Sequence, residues 1–323
     1  MVETVYFGGG TPSLLSTEEL HAFINLIHSL FNCSSSLEIT LESNPDDISA
    51  ERLNEWKNIG INRLSIGLQS FKEDDLKWMN RAHTVEESIS CLAQANEAGF
   101  TNLTVDLMYG LPNLTMHEWR GHIQRLIDAN VSHISAYCLT IEPKTAIKNW
   151  VDKGKISMPT EEEQAMQFDL LVELLGENGY QQYEISNFCI PGNESKHNSN
   201  YWKNEWYLGV GPSAHSFNGT SREWNIANNT AYIKGIKNKN RNYDVEKLSI
   251  SDRFNETVLT GLRTIYGVKL TFLEKIAPIS ADFHTKCDSF IEFGWMKKTE
   301  NNVLVLTKEG RLKADFIASE LFL

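Results

Sequence analysis

The stretch VYFGGGTPS, residues 5–13, decides the fold of this chain. Its short apolar run predicts a β-strand, and the glycines at 8–10 predict a loop whose backbone N–H groups are not covered by side chains. A loop of this kind suits a small ligand that carries a carboxylate, an amine or a phosphate group. Ser16 and Glu19 then have the spacing of a capping box, so we expect a helix from about residue 17 to 31.

Strands and helices continue to alternate up to about residue 186. Two of the helical segments end at Gly60 and Gly99, where glycine can adopt the left-handed conformation of a helix cap. This order predicts parallel strands joined by right-handed crossovers, and therefore an α/β sheet or barrel with ligands at the carboxyl ends of the strands. The apolar, β-rich segments lie near 3–7, 37–41, 61–66, 102–108, 132–139 and 180–186.

Composition narrows the classes of function. The chain has 323 residues, of which 41% are hydrophobic, enough for one large domain and a smaller appendage. Its formal charge of -12 argues against broad binding to nucleic acid, while a local basic site for one acidic ligand stays allowed. Because the sequence has neither a membrane-length apolar run nor a signal peptide, we expect a cytoplasmic protein that is not an integral membrane protein.

The cysteines predict neither a disulfide framework nor a metal cluster. They are five in number and lie too far apart for a CxxC or CxxxCxxC motif. Each is expected to be a small buried apolar residue rather than a ligand. Their positions are Cys33, Cys91, Cys138, Cys189 and Cys287.

Polar side chains occupy the ends of the predicted strands. Glu42, Gln69 and Asp106 would converge at the mouth of a barrel, where inward polar groups need partners. Arg81 could extend its guanidinium over the same rim and bind a carboxylate. Each residue alone is also explained by turn chemistry or, for Arg81, by a solvated surface position. Together they favour a binding site.

These segments resemble the radical S-adenosylmethionine proteins related to oxygen-independent coproporphyrinogen III oxidase, in order and spacing over nearly the whole chain. Two later strings, QYEISNF at 182–188 and HNSNYW at 197–202, resemble the heme-chaperone branch of that family, called HemW, rather than the oxidase. The segments that carry the family resemblance are GGGTPS at 8–13, the Glu42 segment, RLSIGLQSF at 63–71, DLMYGLP at 106–112 and HISAY at 133–137.

The resemblance implies a partial (β/α)6 barrel that keeps five barrel strands and lacks the first, with the strand of Tyr183 beyond them. The barrel and the heme region that follows would span 1–217, a polar connector 218–245, and a small winged-helix-like C-terminal domain 246–323. The contacts to S-adenosylmethionine in the family would fall on Gly9, Gly10, Thr11, Glu42, Gln69, Arg81, Asp106 and Thr140.

One part of the family pattern is absent from this sequence. In the family, a CxxxCxxC loop after the first barrel strand holds a [4Fe-4S] cluster, which supplies the electron that cleaves S-adenosylmethionine. An incomplete chain and a natural loss of the cluster both explain the absence. We expect an incomplete chain, because an apolar strand at the N-terminus would otherwise lack its sequential neighbour. The in-frame DNA upstream of the Met1 codon distinguishes the two.

His197 is the candidate heme ligand. It follows a polar segment at 191–197, and the chaperone branch implies that an imidazole here binds heme iron. The alternative is a structural histidine that donates to a carbonyl. Tyr201 and Trp202 could pack on the macrocycle or lie in the core, and His215 is expected to be structural rather than a ligand.

Three functions remain open at this point. The first is a heme chaperone of the HemW type, which binds heme and S-adenosylmethionine and passes heme to an unidentified acceptor protein. The second is an enzyme that converts coproporphyrinogen III to protoporphyrinogen IX by oxidative decarboxylation. The third is a cluster-free protein that holds heme through His197. Whether the chain is an enzyme depends on the missing cluster ligands.

Overall fold

The computed structural model describes residues 1–323 and divides into two compact units, Met1–His197 and Asn198–Leu323. The first unit contains a seven-stranded sheet in the order β1-β2-β3-β4-β5-β7-β6. Neighbours among the first five strands are parallel, and β6 and β7 are antiparallel, which confirms the predicted α/β partial barrel and places the Tyr183 strand beyond it. The strands are β1 (Val2–Phe7), β2 (Cys33–Ser43), β3 (Arg63–Gln69), β4 (Leu103–Tyr109), β5 (His133–Cys138), β6 (Gln181–Glu184) and β7 (Asn187–Cys189).

Helices connect the parallel strands. The capping box predicted for the first helix is present: Ser16 Oγ accepts a hydrogen bond from the Glu19 N–H, and the Glu19 carboxylate accepts one from the Ser16 N–H. Gly60 and Gly99 follow the second and fourth helices with φ of 101° and 77°, as expected for left-handed caps. The helices are α1 (Thr17–Leu30), α2 (Ala50–Asn58), α3 (Glu73–Trp78), α4 (Val85–Glu97), α5 (Met116–Asp128), α6 (Ala146–Asp152) and α7 (Glu161–Glu177).

The two faces of the parallel strands have opposite chemistry. On one face, buried aliphatic side chains such as Ile39, Leu64 and Val105 join the apolar core together with residues of the helices. Each fully buried side chain of this type stabilises the fold by about 1.5–3 kcal/mol. The alternate positions on the other face are mostly polar, because side chains of a strand point to opposite faces in turn. They are Glu38, Thr40, Glu42, Arg63, Ser65, Thr104, Asp106, His133 and Ser135.

The second unit follows the start of α8 (Lys196–Trp202) and begins with a small antiparallel sheet. β8 (His215–Phe217), β9 (Ser221–Asn225) and β10 (Tyr243–Lys247) pair in the order β10-β9-β8, and α9 (Asn229–Lys237) lies between β9 and β10 in sequence. The predicted connector at 218–245 therefore carries regular structure. Its polar composition has a physical reason, since β10 is exposed throughout and Gly235 is the only buried residue of α9.

The C-terminal part has the element order of a winged helix. One helix is followed by a short strand, two helices and a hairpin whose turn contains Asn302 with φ of 57°. No helix of the chain combines the length and apolar character needed to cross a membrane. The elements are α10 (Ile250–Leu262), β11 (Val268–Lys269), α11 (Leu270–Ile276), α12 (Ala281–Glu292), β12 (Met296–Lys298), β13 (Val303–Leu306), α13 (Lys308–Arg311) and α14 (Ala314–Glu320), with strand order β11-β13-β12.

Candidate functional site

A polar cavity of about 200 Å³ lies at the carboxyl ends of β1 to β4. Its walls contain six of the eight residues for which the family resemblance implies S-adenosylmethionine contacts. This is the edge where a parallel α/β sheet normally binds its ligand. The lining residues are Gly10, Thr11, Pro12, Glu42, Ser43, Asn44, Ser65, Gly67, Gln69, Arg81 and Asp106.

Glu42 is held at the cavity by two donors from β1 and its loop. The Tyr6 hydroxyl donates to Glu42 Oε1 at 2.7 Å, and the Gly9 N–H donates to Glu42 Oε2 at 3.1 Å. Gly8 has to lack a side chain here, because a Cβ atom would lie 2.5 Å from Tyr6 Cε1 and 2.8 Å from Glu42 Oε1. The triple-glycine segment therefore lets the backbone approach the carboxylate and fix its direction.

Arg81 contributes the positive charge of the cavity wall. Its Nη2 donates to Asn44 Oδ1 at 2.8 Å and to the Gly67 carbonyl at 2.9 Å, so the guanidinium reaches back over the strand ends after α3. Gly67 again leaves necessary space, since a Cβ atom would lie 3.3 Å from Arg81 Nη2. The remaining N–H groups of the guanidinium can bind a carboxylate of a ligand.

Gln69 enters the cavity through an irregular strand end. The pairing of β3 with β4 shifts between Ile66 and Gln69, and Gln69 has φ of 70°. A bulge of this kind redirects a side chain, and backbone conformations that non-glycine residues rarely adopt cluster at functional sites. The carboxamide of Gln69 therefore lines the cavity instead of continuing the strand alternation.

Asp106, on β4, is a titratable group in the cavity wall. Burial raises the pKa of Asp106 to about 7, and the nearby Glu42 carboxylate adds to this rise. Ser135, Arg81 and Arg63 act in the opposite direction. Near neutral pH, Asp106 can therefore be a hydrogen-bond donor or an acceptor according to what binds beside it.

Two further hydroxyls lack partners near the cavity. Ser43 Oγ and Thr40 Oγ1 are buried and have no hydrogen-bond partner, and Ser43 lines the cavity. A buried polar atom without a partner is unfavourable, and a polar ligand can satisfy one that faces a binding cavity. The donor set thus fits a ligand with charged and hydroxyl groups, as the amino acid and ribose parts of S-adenosylmethionine have.

The other two residues implied by the resemblance lie outside the lining. Gly9 acts indirectly by donating to Glu42, while Thr140 is exposed in the loop after β5. Sequence reasoning missed Tyr6 and Ser65, which the structure adds to the site. Alternation along the strands could have found both, because Tyr6 and Ser65 occupy the same polar face as Glu42.

His197 lies beside β1 at the end of the first unit. Its Nδ1 is 3.0 Å from Thr4 Oγ1, and its ring stacks on Tyr6 with centroids 4.6 Å apart and an interplanar angle of 18°. The backbone N–H groups of Lys196 and His197 donate to the buried Glu38 carboxylate at 3.2 and 3.0 Å. Strand residues thus fix both the backbone and the ring of His197.

The electrostatics of His197 favour the neutral imidazole. Burial lowers the pKa of His197 to about 4. A neutral ring with one nitrogen oriented by a neighbouring group is the form that binds a metal. The geometry of His197 is therefore compatible with iron ligation as well as with a structural role.

A buried polar network continues behind His197. Arg63 donates to Asn102 Oδ1 and Thr104 Oγ1, and Thr104 Oγ1 lies 3.2 Å from His133 Nδ1. His133 Nε2 is 2.7 Å from the Tyr183 hydroxyl, which in turn accepts the Ser195 N–H at 3.4 Å. These contacts attach the segment before His197 to the polar face of the sheet.

The cysteines do not form a site for an iron–sulfur cluster. They lie on different elements, and no group of three or more His, Cys, Asp or Glu side chains is placed to hold a metal ion. Burial raises the pKa of Cys91, Cys189 and Cys287 to about 12, which disfavours the thiolate that a metal needs. The residues of this chain do not fit the [4Fe-4S] cluster.

The aromatic residues after His197 belong to the second unit. Tyr201 packs edge-on against Tyr207 at 4.7 Å, and the Arg263 guanidinium lies 5.6 Å from the Trp202 ring. His215, on β8, stacks on Trp224 at 5.9 Å. These residues contribute to the packing of the second unit.

The chain is similar to known proteins over most of its length. Residues 1–126 match the model of the Radical SAM superfamily. A heme chaperone HemW from Bacillus subtilis is 36% identical over 96% of this chain and 83% of that protein. Proteins of the same name from Lactococcus lactis and Mycobacterium tuberculosis are 34% and 30% identical, over 83% and 99% of this chain and 70% and 80% of those proteins.

A solved structure shares the fold. Coproporphyrinogen III oxidase (HemN) from Escherichia coli, described as a radical SAM enzyme, matches with a TM-score of 0.81 over 99% of this chain and 78% of its own. Its sequence identity is 21%. The likeness therefore concerns the fold, and it agrees with a partial barrel followed by a smaller C-terminal part.

Proposed function

The chain belongs to the HemW family of heme chaperones within the radical S-adenosylmethionine superfamily, and we propose that it binds heme and S-adenosylmethionine and transfers heme to an acceptor protein. Heme would bind at His197 and S-adenosylmethionine in the polar cavity. A cytoplasmic location is part of this proposal. The acceptor would be a protein that receives heme from this chain.

The observation that carries the proposal is the state of the His197 ring. The ring is oriented by Thr4 Oγ1 at 3.0 Å and by stacking on Tyr6, and burial keeps it neutral. A neutral imidazole can bind heme iron without releasing a proton. Because the ring is already oriented, binding also costs little rotational entropy. Heme would supply the iron, and the protein would orient the imidazole that ligates it.

The cavity residues support binding of S-adenosylmethionine. Arg81 suits the carboxylate of the methionine part, because a guanidinium binds carboxylates in a bidentate manner. Glu42 suits the amine, since Tyr6 and Gly9 hold its carboxylate in one direction. Asp106 and Gln69 add groups that can bind ribose hydroxyls. When bound, S-adenosylmethionine is the source of a radical only if an electron reaches it.

The cluster that supplies this electron in the family has no ligands among these residues. We therefore derive no radical step for this chain. Heme binding and transfer do not require one, because neither breaks a covalent bond.

Heme titration followed by absorbance in the Soret region tests the proposal. His197→Ala should weaken heme binding at least about tenfold, equivalent to about 1.4 kcal/mol, and remove the spectral signature of histidine ligation. His117→Ala, at an exposed position on α5, is the matched control and should bind heme normally. Thr4→Val keeps the ligand but removes its Nδ1 partner, so it should shift the spectrum.

Two results would contradict this function. Equal heme affinity and equal spectra for the unaltered protein and His197→Ala would remove His197 as the ligand, provided that circular dichroism shows both to be folded. Turnover of coproporphyrinogen III in an anaerobic assay of a chain completed with the cluster loop would favour the oxidase. For the cavity, Arg81→Lys should weaken S-adenosylmethionine binding about tenfold in calorimetry, because lysine cannot bind a carboxylate in a bidentate manner.

A further inference from the structure

Tyr6 contacts both a residue that lines the cavity and the proposed heme ligand. Its hydroxyl donates to Glu42 Oε1 at 2.7 Å, while its ring stacks on His197 at a centroid distance of 4.6 Å. Glu42 lines the cavity. Three side chains from β1, β2 and the end of the first unit are thus joined in a row.

We propose that Tyr6 couples the two sites, so that a change at Glu42 alters the position of the His197 ring and a ligand in the cavity alters the affinity for heme. The role in heme affinity rests on the proposed function, whereas the structural coupling does not. Tyr6 acts through Glu42 and His197 and is therefore a positioning residue.

The hydroxyl of Tyr6 donates to Glu42, and Ser65 is a second hydrogen-bond neighbour of this hydroxyl. Its oxygen lies 2.7 Å from Glu42 Oε1, within hydrogen-bond distance of that carboxylate. A protonated hydroxyl beside a carboxylate donates to it. Any movement of the Glu42 carboxylate therefore pulls on Tyr6, and the only other donor to that carboxylate is the Gly9 N–H.

The surroundings of His197 convert movement of Tyr6 into a change of ring orientation. The backbone N–H of His197 is held by Glu38, and Nδ1 lies against Thr4 Oγ1. The ring plane is within 18° of the Tyr6 plane. With the backbone fixed, the side chain responds to its stacking partner mainly by rotation, which changes the direction of its nitrogens.

A double-mutant cycle in the protein without ligands tests the coupling. The imidazole ¹H–¹⁵N resonances of His197 report its environment, and His197→Gln identifies them. Glu42→Gln should shift these resonances in the unaltered background, and the shift should disappear in the Tyr6→Phe background, where the ring remains but the hydroxyl does not. Tyr180→Phe is the control, because it removes a buried hydroxyl bonded to the Val131 carbonyl elsewhere in the unit.

Ligand binding provides the second measurement. S-adenosylmethionine should change the Kd for heme about fivefold or more in the unaltered protein, within the usual range of coupled sites, and less than about twofold in Tyr6→Phe.

The outcomes separate the coupling from the proposed function. A Glu42→Gln shift of the His197 resonances that is equal in both backgrounds, or absent from both, would overturn the coupling whether or not heme binds. Absence of heme binding at His197 with an intact cycle would refute the function and leave the coupling supported. Equal effects of S-adenosylmethionine on heme affinity in Tyr6→Phe and the control would also overturn the coupling.

Discussion

Replacement of Glu38 should destabilise the first unit and weaken heme binding together. Glu38 is 4% exposed, and its carboxylate accepts the N–H groups of Lys196 and His197 at 3.2 and 3.0 Å. It also faces Arg63, which is 1% exposed. Burial lowers the pKa of Arg63, and Glu38 opposes this effect, so the carboxylate stabilises the buried cation.

Glu38→Gln keeps the size of the side chain and removes its charge. The amide nitrogen cannot accept a hydrogen bond, so one of the two backbone N–H groups loses its acceptor, which costs about 1.5–3 kcal/mol for a charged partner. Loss of the negative charge adds to this cost, because Glu38 opposes the effect of burial on Arg63. We therefore expect a loss of about 3 kcal/mol in unfolding free energy.

Urea unfolding of the full chain, followed by circular dichroism and tryptophan fluorescence, measures this loss. Glu97→Gln, at the exposed end of α4, is the matched control and should change the free energy of unfolding by less than about 0.5 kcal/mol. Heme affinity should fall in Glu38→Gln and stay unchanged in the control. A change below about 1 kcal/mol with normal heme binding would refute the assignment of Glu38 as the group that holds this segment.

Two further predictions concern the cavity. Gly8→Ala should weaken S-adenosylmethionine binding in calorimetry, because the added Cβ would lie 2.8 Å from Glu42 Oε1. Gly121→Ala in α5 is the control, because a Cβ atom there would have nothing within 4 Å, and it should raise the melting temperature. Normal S-adenosylmethionine binding in Gly8→Ala, or a lower melting temperature in Gly121→Ala, would contradict the geometry. For Asp106, whose pKa is raised to about 7 by burial, the folded protein holds a proton that the unfolded chain has released. Stability should fall as pH rises from about 4 to 7, and Asp106→Asn should remove this slope in unfolding free energy measured against pH.

Local sequence signals predicted much of the fold. The capping box of Ser16 and Glu19, the glycine caps at Gly60 and Gly99 and the strand alternation are short-range patterns, and each corresponds to an element of the structure. The 218–245 stretch was predicted to be a connector, but it contains strands and a helix. Exposed strands and helices need few apolar residues, so their composition resembles that of a linker.

The sequence predicted some of the residues that line the cavity, for a related reason. Glu42 and Arg81 occupy strand or helix ends, and the parallel topology alone brings such positions to one edge. Tyr6 and Glu38 lie within strands, where a polar residue is significant only when the face it points to is known. Their partner His197 is distant in sequence, and no local pattern connects it to them.

The contact between Glu38 and the start of α8 has a consequence for the order of folding. The two contacting residues are separated by 159 positions in sequence. Contacts of such separation require closure of a long loop and depend on completion of the intervening strands. A partly synthesised chain would carry the β1 and β2 residues without the histidine that they orient. Under the proposed function, heme binding at His197 would therefore follow the assembly of the sheet.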